Sequence, residues 1–87
     1  MDRIFLDVRS ATEFLDNGLK NSVNIPHTEI IDRLEEINKD KKVLVYCRSG
    51  RRSKLATTIL ISAGFDAEDI GTVQEAKVLA AVEDLLE

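Results

Sequence analysis

Val43-Leu44-Val45-Tyr46 is apolar without a break, and the seven residues after it, Cys47-Arg48-Ser49-Gly50-Arg51-Arg52-Ser53, are polar or small. A strand with one wet face alternates apolar and polar residues, so an unbroken apolar run belongs to a strand covered on both faces. Leu55, Ala56, Ile59, Leu60 and Ala63 then recur at helical spacing, with Gly64 placed to close the helix. A strand, a short loop and a helix form the unit from which parallel sheets are built, because parallel neighbours need a crossover between them.

The rest of the chain divides in the same way. Ile4-Phe5-Leu6-Asp7-Val8 reads as a short strand, and Ser10 with Glu13 has the spacing of a capping box at the start of a helix. Val23-Asn24-Ile25 ends at Pro26, which suits a strand end because proline has no N–H to give to a ladder. Ile30, Ile31, Leu34 and Ile37 predict one face of a second helix. A last strand is expected around residues 67–70, then an amphipathic helix through Ala76, Leu79, Ala80, Val82 and Leu86. The expected fold is α/β: a small parallel sheet of four to five strands flanked by helices on both faces. The 87 residues suffice for one such domain and not for two.

Charge narrows the function. The net charge of -4 argues against a nucleic-acid partner, which would need basic surface. Three of the six arginines nevertheless fall within residues 48–52, so an anion is expected there. No apolar run approaches the roughly 20 residues that span a bilayer, and an acid at Asp7 breaks what an export signal would need, so no membrane and a cytoplasmic location are expected. One cysteine and one histidine cannot assemble a zinc site, and no cofactor motif is present, so Cys47 is expected to act as a thiol without metal or cofactor.

The stretch from Cys47 to Ser53 carries the chemistry. It lies at the carboxyl end of the predicted central strand, where open α/β sheets bind ligands. A loop curling onto a helix start turns backbone N–H groups inward, and these with the helix dipole attract an anion or hold a thiolate. Arg48, Arg51 and Arg52 add positive charge, and Gly50 lets the loop curl. A lone cysteine after a strand is often just a small buried residue, and arginines in a loop are often only solvated; the combination in one short loop is what favours a nucleophile.

These residues resemble the single-domain rhodaneses, or thiosulfate sulfurtransferases. The resemblance rests on Leu6-Asp7-Val8-Arg9 with Glu13-Phe14, on Val23-Asn24-Ile25-Pro26, on Val45-Tyr46-Cys47 with the loop to Ser53, and on Gly64-Phe65. It implies that Cys47 takes a sulfane sulfur from thiosulfate as a persulfide and passes it to cyanide or another thiophilic acceptor. Arg48, Ser49, Gly50, Arg51, Arg52 and Ser53 would then bind the small anionic sulfur donor, with a thiol or a protein as a possible acceptor. Ser53 is expected to cap its helix, the other option being a hydrogen bond to the sulfur. Asp7 and Arg9 are supporting candidates near the loop, with a structural pair between Arg9 and Glu13 expected; His27 is expected at the surface and Tyr46 in strand packing. The chain is expected to be one rhodanese-like domain over residues 1–87, shortened at its start or cut from a larger protein.

Two other functions compete. Cysteine-dependent phosphatases and arsenate reductases place an arginine six positions after the cysteine, but here Ser53 stands at that position and Arg52 one earlier. A docking or persulfide-relay module of a larger redox protein would use the same fold, and retention of Cys47 favours a reactive thiol over pure docking.

Overall fold

A computed structural model describes residues 3–86. Strand β1 (Arg3–Asp7) leads to helix α1 (Ala11–Asn17), then to the short strand β2 (Val23–Asn24). Two turns of 3-10 helix, His27–Glu29 and Ile31–Glu36, connect to β3 (Lys42–Cys47), followed by α2 (Arg51–Ser62), β4 (Ala67–Thr72) and α3 (Val73–Leu86). The four strands form one sheet in the order β2-β1-β3-β4, and every pairing is parallel. Their carboxyl ends, at Asp7, Asn24, Cys47 and Thr72, therefore share one edge.

β3 is central, as its apolar run requires, and residues Val43–Cys47 are all buried. Its alternate side chains feed two cores. Val43, Val45 and Cys47 join Leu6, Val8, Ile25, Ile30, Ala56, Leu60 and Phe65 on the α2 side. Leu44 and Tyr46 join Phe5, Val73 and Ala76 on the α3 side. At the end of α2, Gly64 sits at φ +92°, its N–H donates to the Ile61 carbonyl at 3.0 Å, and the Phe65 N–H donates to the Leu60 carbonyl at 3.0 Å. This is a Schellman ending, which a left-handed glycine permits and which seats Phe65 against Leu60 in the core.

Two expected elements differ. The predicted second helix is not one α-helix: Ile30 and Ile37 are buried, but Ile31 is 68% exposed and Arg33, at φ -129°, breaks the run. Two tight turns bury Ile30 and Ile37 and pack Leu34 against the core, and Arg33 is held by Glu29 at 3.0 Å and Glu36 at 2.8 Å across the kink. In α3, Ala76 is buried and Leu79 and Ala80 pack on the core, but Val82 and Leu86 are exposed. Near that end Glu83 pairs with Arg3 at the start of β1, where the sheet beneath the helix runs out. In α2, Leu55 is likewise half exposed while Ala56 and Leu60 are buried. Among the described residues no helix is long and apolar enough to cross a membrane.

Candidate functional site

Cys47 ends β3 with no exposed surface, and the chain turns immediately into a tight loop. Gly50, at φ +90°, occupies the left-handed region that brings its N–H to face the sulfur, and it donates to Cys47 Sγ at 3.0 Å. Helix α2 then begins at Arg51 with no side-chain cap. Ser53, one turn in and fully buried, has its Oγ 3.4 Å from Cys47 Sγ. Burial pushes the Cys47 thiol up, but hydrogen bonding with the Ser53 side chain and with the Ser53, Gly50 and Ser49 N–H groups outweighs it and leaves the thiol below its ordinary value.

The neighbouring strand ends are braced by charge. Asp7 and Arg9 are buried and paired: Arg9 Nε donates to Asp7 Oδ1 at 3.0 Å and Arg9 Nη2 to Asp7 Oδ2 at 2.8 Å. Arg9 Nη1 donates to Asn17 Oδ1 at 2.7 Å, and Asn24 Nδ2 donates to the carbonyls of Asp7 and Arg9, each at 3.0 Å. Arg9 thus ties the end of β1 to the end of α1, and Asn24 ties β2 to the backbone of the same segment. Glu13, which completes the capping box of α1 with Ser10, also accepts from Arg52 Nη1 at 2.7 Å and Nη2 at 2.9 Å. That forked contact holds the Glu13 carboxyl down at about 2, so the brace between α1 and α2 persists until the pH falls from the ordinary carboxyl range toward that value. Beside it opens a polar cleft of about 540 Å³ lined by Arg9, Glu13, Asp16, Asn17, Arg48, Val73 and Gln74. Cys47 is not part of its wall; Arg48, the next residue, is.

A parallel four-stranded sheet with helices agrees with the comparisons. The model of the rhodanese-like domain matches residues 1–75. The chain belongs to the rhodanese-like domain family. It is 34% identical over 64 residues to a sulfurtransferase of Allochromatium vinosum, covering 74% of this chain and 60% of that protein. It is 32% identical to a thiosulfate sulfurtransferase of Pseudomonas savastanoi pv. phaseolicola, covering 71% of this chain and 58% of that protein. A solved rhodanese from E. coli with anions superposes with a TM-score of 0.77 at 29% identity, covering 84% of this chain and 89% of that one. The chain thus spans about 60% of the length of these curated relatives.

Several expected contacts fall differently in this rhodanese-like domain. Ser53 does not cap α2, because the helix starts two residues earlier and carries the hydroxyl inward to the sulfur. Arg9 does not pair with Glu13; Asp7 takes Arg9, leaving Glu13 for Arg52. Cys47 has no exposed surface, and the groups that lower the thiol are Ser53 and the loop backbone, while Arg52 is engaged by Glu13. Arg51 and Ser49 are exposed. Tyr46 packs as expected, its Oη accepting from the Leu19 N–H at 3.0 Å and lying 3.0 Å from Ser22 Oγ, and His27 is half-buried. Asp69 went unforeseen: Ser53 Oγ donates to its Oδ1 at 2.8 Å, across 16 residues of sequence. Asn17 and Gln74, in the cleft wall, likewise carried no local signal.

Proposed function

We propose that this rhodanese-like domain is a sulfurtransferase in which Cys47 carries the sulfur. The Cys47 thiolate attacks the outer sulfur of thiosulfate, the sulfur–sulfur bond of the donor breaks, and sulfite leaves with the bonding electrons. The persulfide left on Cys47 bears a terminal anion, which the loop donors stabilise. A thiophilic acceptor such as cyanide then takes that sulfur, and the thiolate returns. The observation that carries this reading is the Gly50 N–H aimed at Cys47 Sγ at 3.0 Å, in a loop whose backbone N–H groups favour the thiolate despite the burial of the sulfur. The names of the relatives, sulfurtransferase and thiosulfate sulfurtransferase, support the reaction class.

Phosphoryl transfer fits less well. A phosphatase loop needs a guanidinium aimed at its centre, but Ser53 occupies that place and Arg52 is turned to Glu13. The test is intact-mass spectrometry after incubation with thiosulfate. A gain of one sulfur atom, lost again on adding cyanide with release of thiocyanate, is the expected result; an unchanged mass would overturn the reading. If a low-molecular-weight or protein thiol discharges the sulfur and cyanide does not, the domain is a persulfide relay.

The arginines are expected to separate. Arg48 is exposed and lines the cleft, whereas Arg52 is paired with Glu13. Arg48→Ala should raise the KM for thiosulfate about tenfold with little change in kcat, the loss of one charge-assisted contact to a dianion. Arg51→Ala should match the parent in steady-state kinetics. Equal, small effects of both would remove Arg48 from the donor site.

A further inference from the structure

Ser53 has one hydroxyl hydrogen and two groups that compete for it. Its Oγ is 2.8 Å from Asp69 Oδ1 and 3.4 Å from Cys47 Sγ, with the Gly71 carbonyl more distant at 3.5 Å. Asp69 Oδ1 is itself anchored, accepting from the Gly71 N–H at 2.9 Å. A carboxylate has no hydrogen to offer, so Ser53 donates to Asp69, and its oxygen is left as the acceptor for the Cys47 thiol hydrogen. The chain of contacts runs from a thiol with no exposed surface to an exposed carboxylate on the edge strand β4.

We propose that Asp69 controls the ionisation of Cys47 through Ser53. In the thiol state, S–H points to Ser53 Oγ and the Ser53 O–H points to Asp69. On ionisation the thiol proton passes to Oγ and remains directed at the sulfur, while the original hydroxyl hydrogen moves to Asp69 Oδ1. The exposed carboxyl then releases it to water. One proton leaves, one thiolate forms, and the thiolate acquires the donor it needs. Once its proton is released, the Asp69 carboxylate opposes the thiolate state twice, by competing with sulfur for the hydroxyl hydrogen and by its own negative charge. Asp69 is therefore a positioning residue, and its removal makes the thiol more reactive.

The charged groups of the surrounding elements are engaged elsewhere. Asp7 pairs with Arg9 at the end of β1, Glu13 of α1 with Arg52 of α2, and Lys42 of β3 with Glu68 of β4. Glu75 of α3 accepts from Thr72 N–H and Oγ1, each at 3.2 Å. Arg48, Arg51 and Lys54 are exposed. Substitution at Asp69 alters none of these pairs.

The inference rests on Cys47 being the reactive group, and its test is independent of sulfur transfer. The chain has one cysteine, so the far-ultraviolet absorbance of its thiolate, followed against pH, titrates Cys47 without any reagent having to reach it. Asp69→Asn should lower the midpoint by about half to one pH unit, raising the thiolate-to-thiol ratio at a given pH about three- to tenfold. Ser53→Ala should raise the midpoint, and Asp69→Asn added to Ser53→Ala should shift it by less than half as much as in the parent. An unchanged or higher midpoint in Asp69→Asn overturns the proposal, as does an equal shift with and without the Ser53 hydroxyl. Should Ser53→Ala not fold, salt decides: a shift that survives 1 M NaCl is carried by the hydrogen bonds, and one that vanishes is plain surface charge and overturns the proposal. A flat titration with sulfur uptake intact removes Asp69 alone. An unchanged mass with thiosulfate beside a shifted titration removes the sulfurtransferase reading and leaves the coupling.

Discussion

Cys47→Ser is expected to abolish sulfur transfer, with turnover falling at least about a thousandfold. The hydroxyl of serine is not ionised at neutral pH, and an alkoxide is a poor nucleophile toward sulfane sulfur. The fold should survive, because serine is close in size to cysteine and can donate to Ser53 Oγ in place of the thiol while accepting from the Gly50 N–H. The variant should therefore melt close to the parent and show no mass gain with thiosulfate. Residual turnover near the parent level would place the chemistry elsewhere, and a large drop in melting temperature would recast Cys47 as a packing residue of the core it shares with Val45 and Leu60.

The second large effect is on stability. Asp7→Ala should destabilise the domain by about 3 to 5 kcal/mol, because it leaves the Arg9 guanidinium, whose side chain is only 3% exposed, without its counter-charge. A domain of this size has about 5 to 10 kcal/mol in all, so the variant should be close to unfolding at room temperature. The change also removes the carboxylate that accepts from the Arg9 N–H at 2.9 Å, while the Asn24 contact to the Asp7 carbonyl and the Asn17 contact to Arg9 do not depend on that side chain. The double variant Asp7→Leu with Arg9→Met should recover part of the loss, as no charge is then left buried. Thermal and chemical denaturation measure both. A loss below about 1 kcal/mol in Asp7→Ala would mean that Arg9 finds water, and that the pair is not the brace described above.

The site was legible where its chemistry is local. Cys47, the glycine at position 50 and the helix start follow one another directly, so the donor-lined loop can be read from seven consecutive residues. The capping box of Ser10 and Glu13 is also local and forms as its spacing predicts. The 3-10 turns were not legible, because Ile30, Leu34 and Ile37 fit one α-helical face and two tight turns equally well over so short a stretch. The partners of the charged residues were not legible either. Glu13 is four residues from Arg9 and 39 from Arg52, yet it pairs with Arg52, since Asp7 already satisfies Arg9 in the buried position.

The architecture follows from local patterns in the chain. The unbroken apolar run at Val43-Leu44-Val45-Tyr46 has to be covered on both faces, and short alternating units leave a parallel sheet as the way to do it. The sequence also points to the candidate nucleophile, since the chain has one thiol and places it at a strand end. What surrounds that sulfur is set by the fold. Hydrogen bonds and ion pairs are made across packed elements, and their strength depends on distance and burial rather than separation along the chain. Ser53 meets Asp69 because α2 lies against β4, and this contact turns a residue that looked like a helix cap into the link between a buried sulfur and an exposed carboxylate.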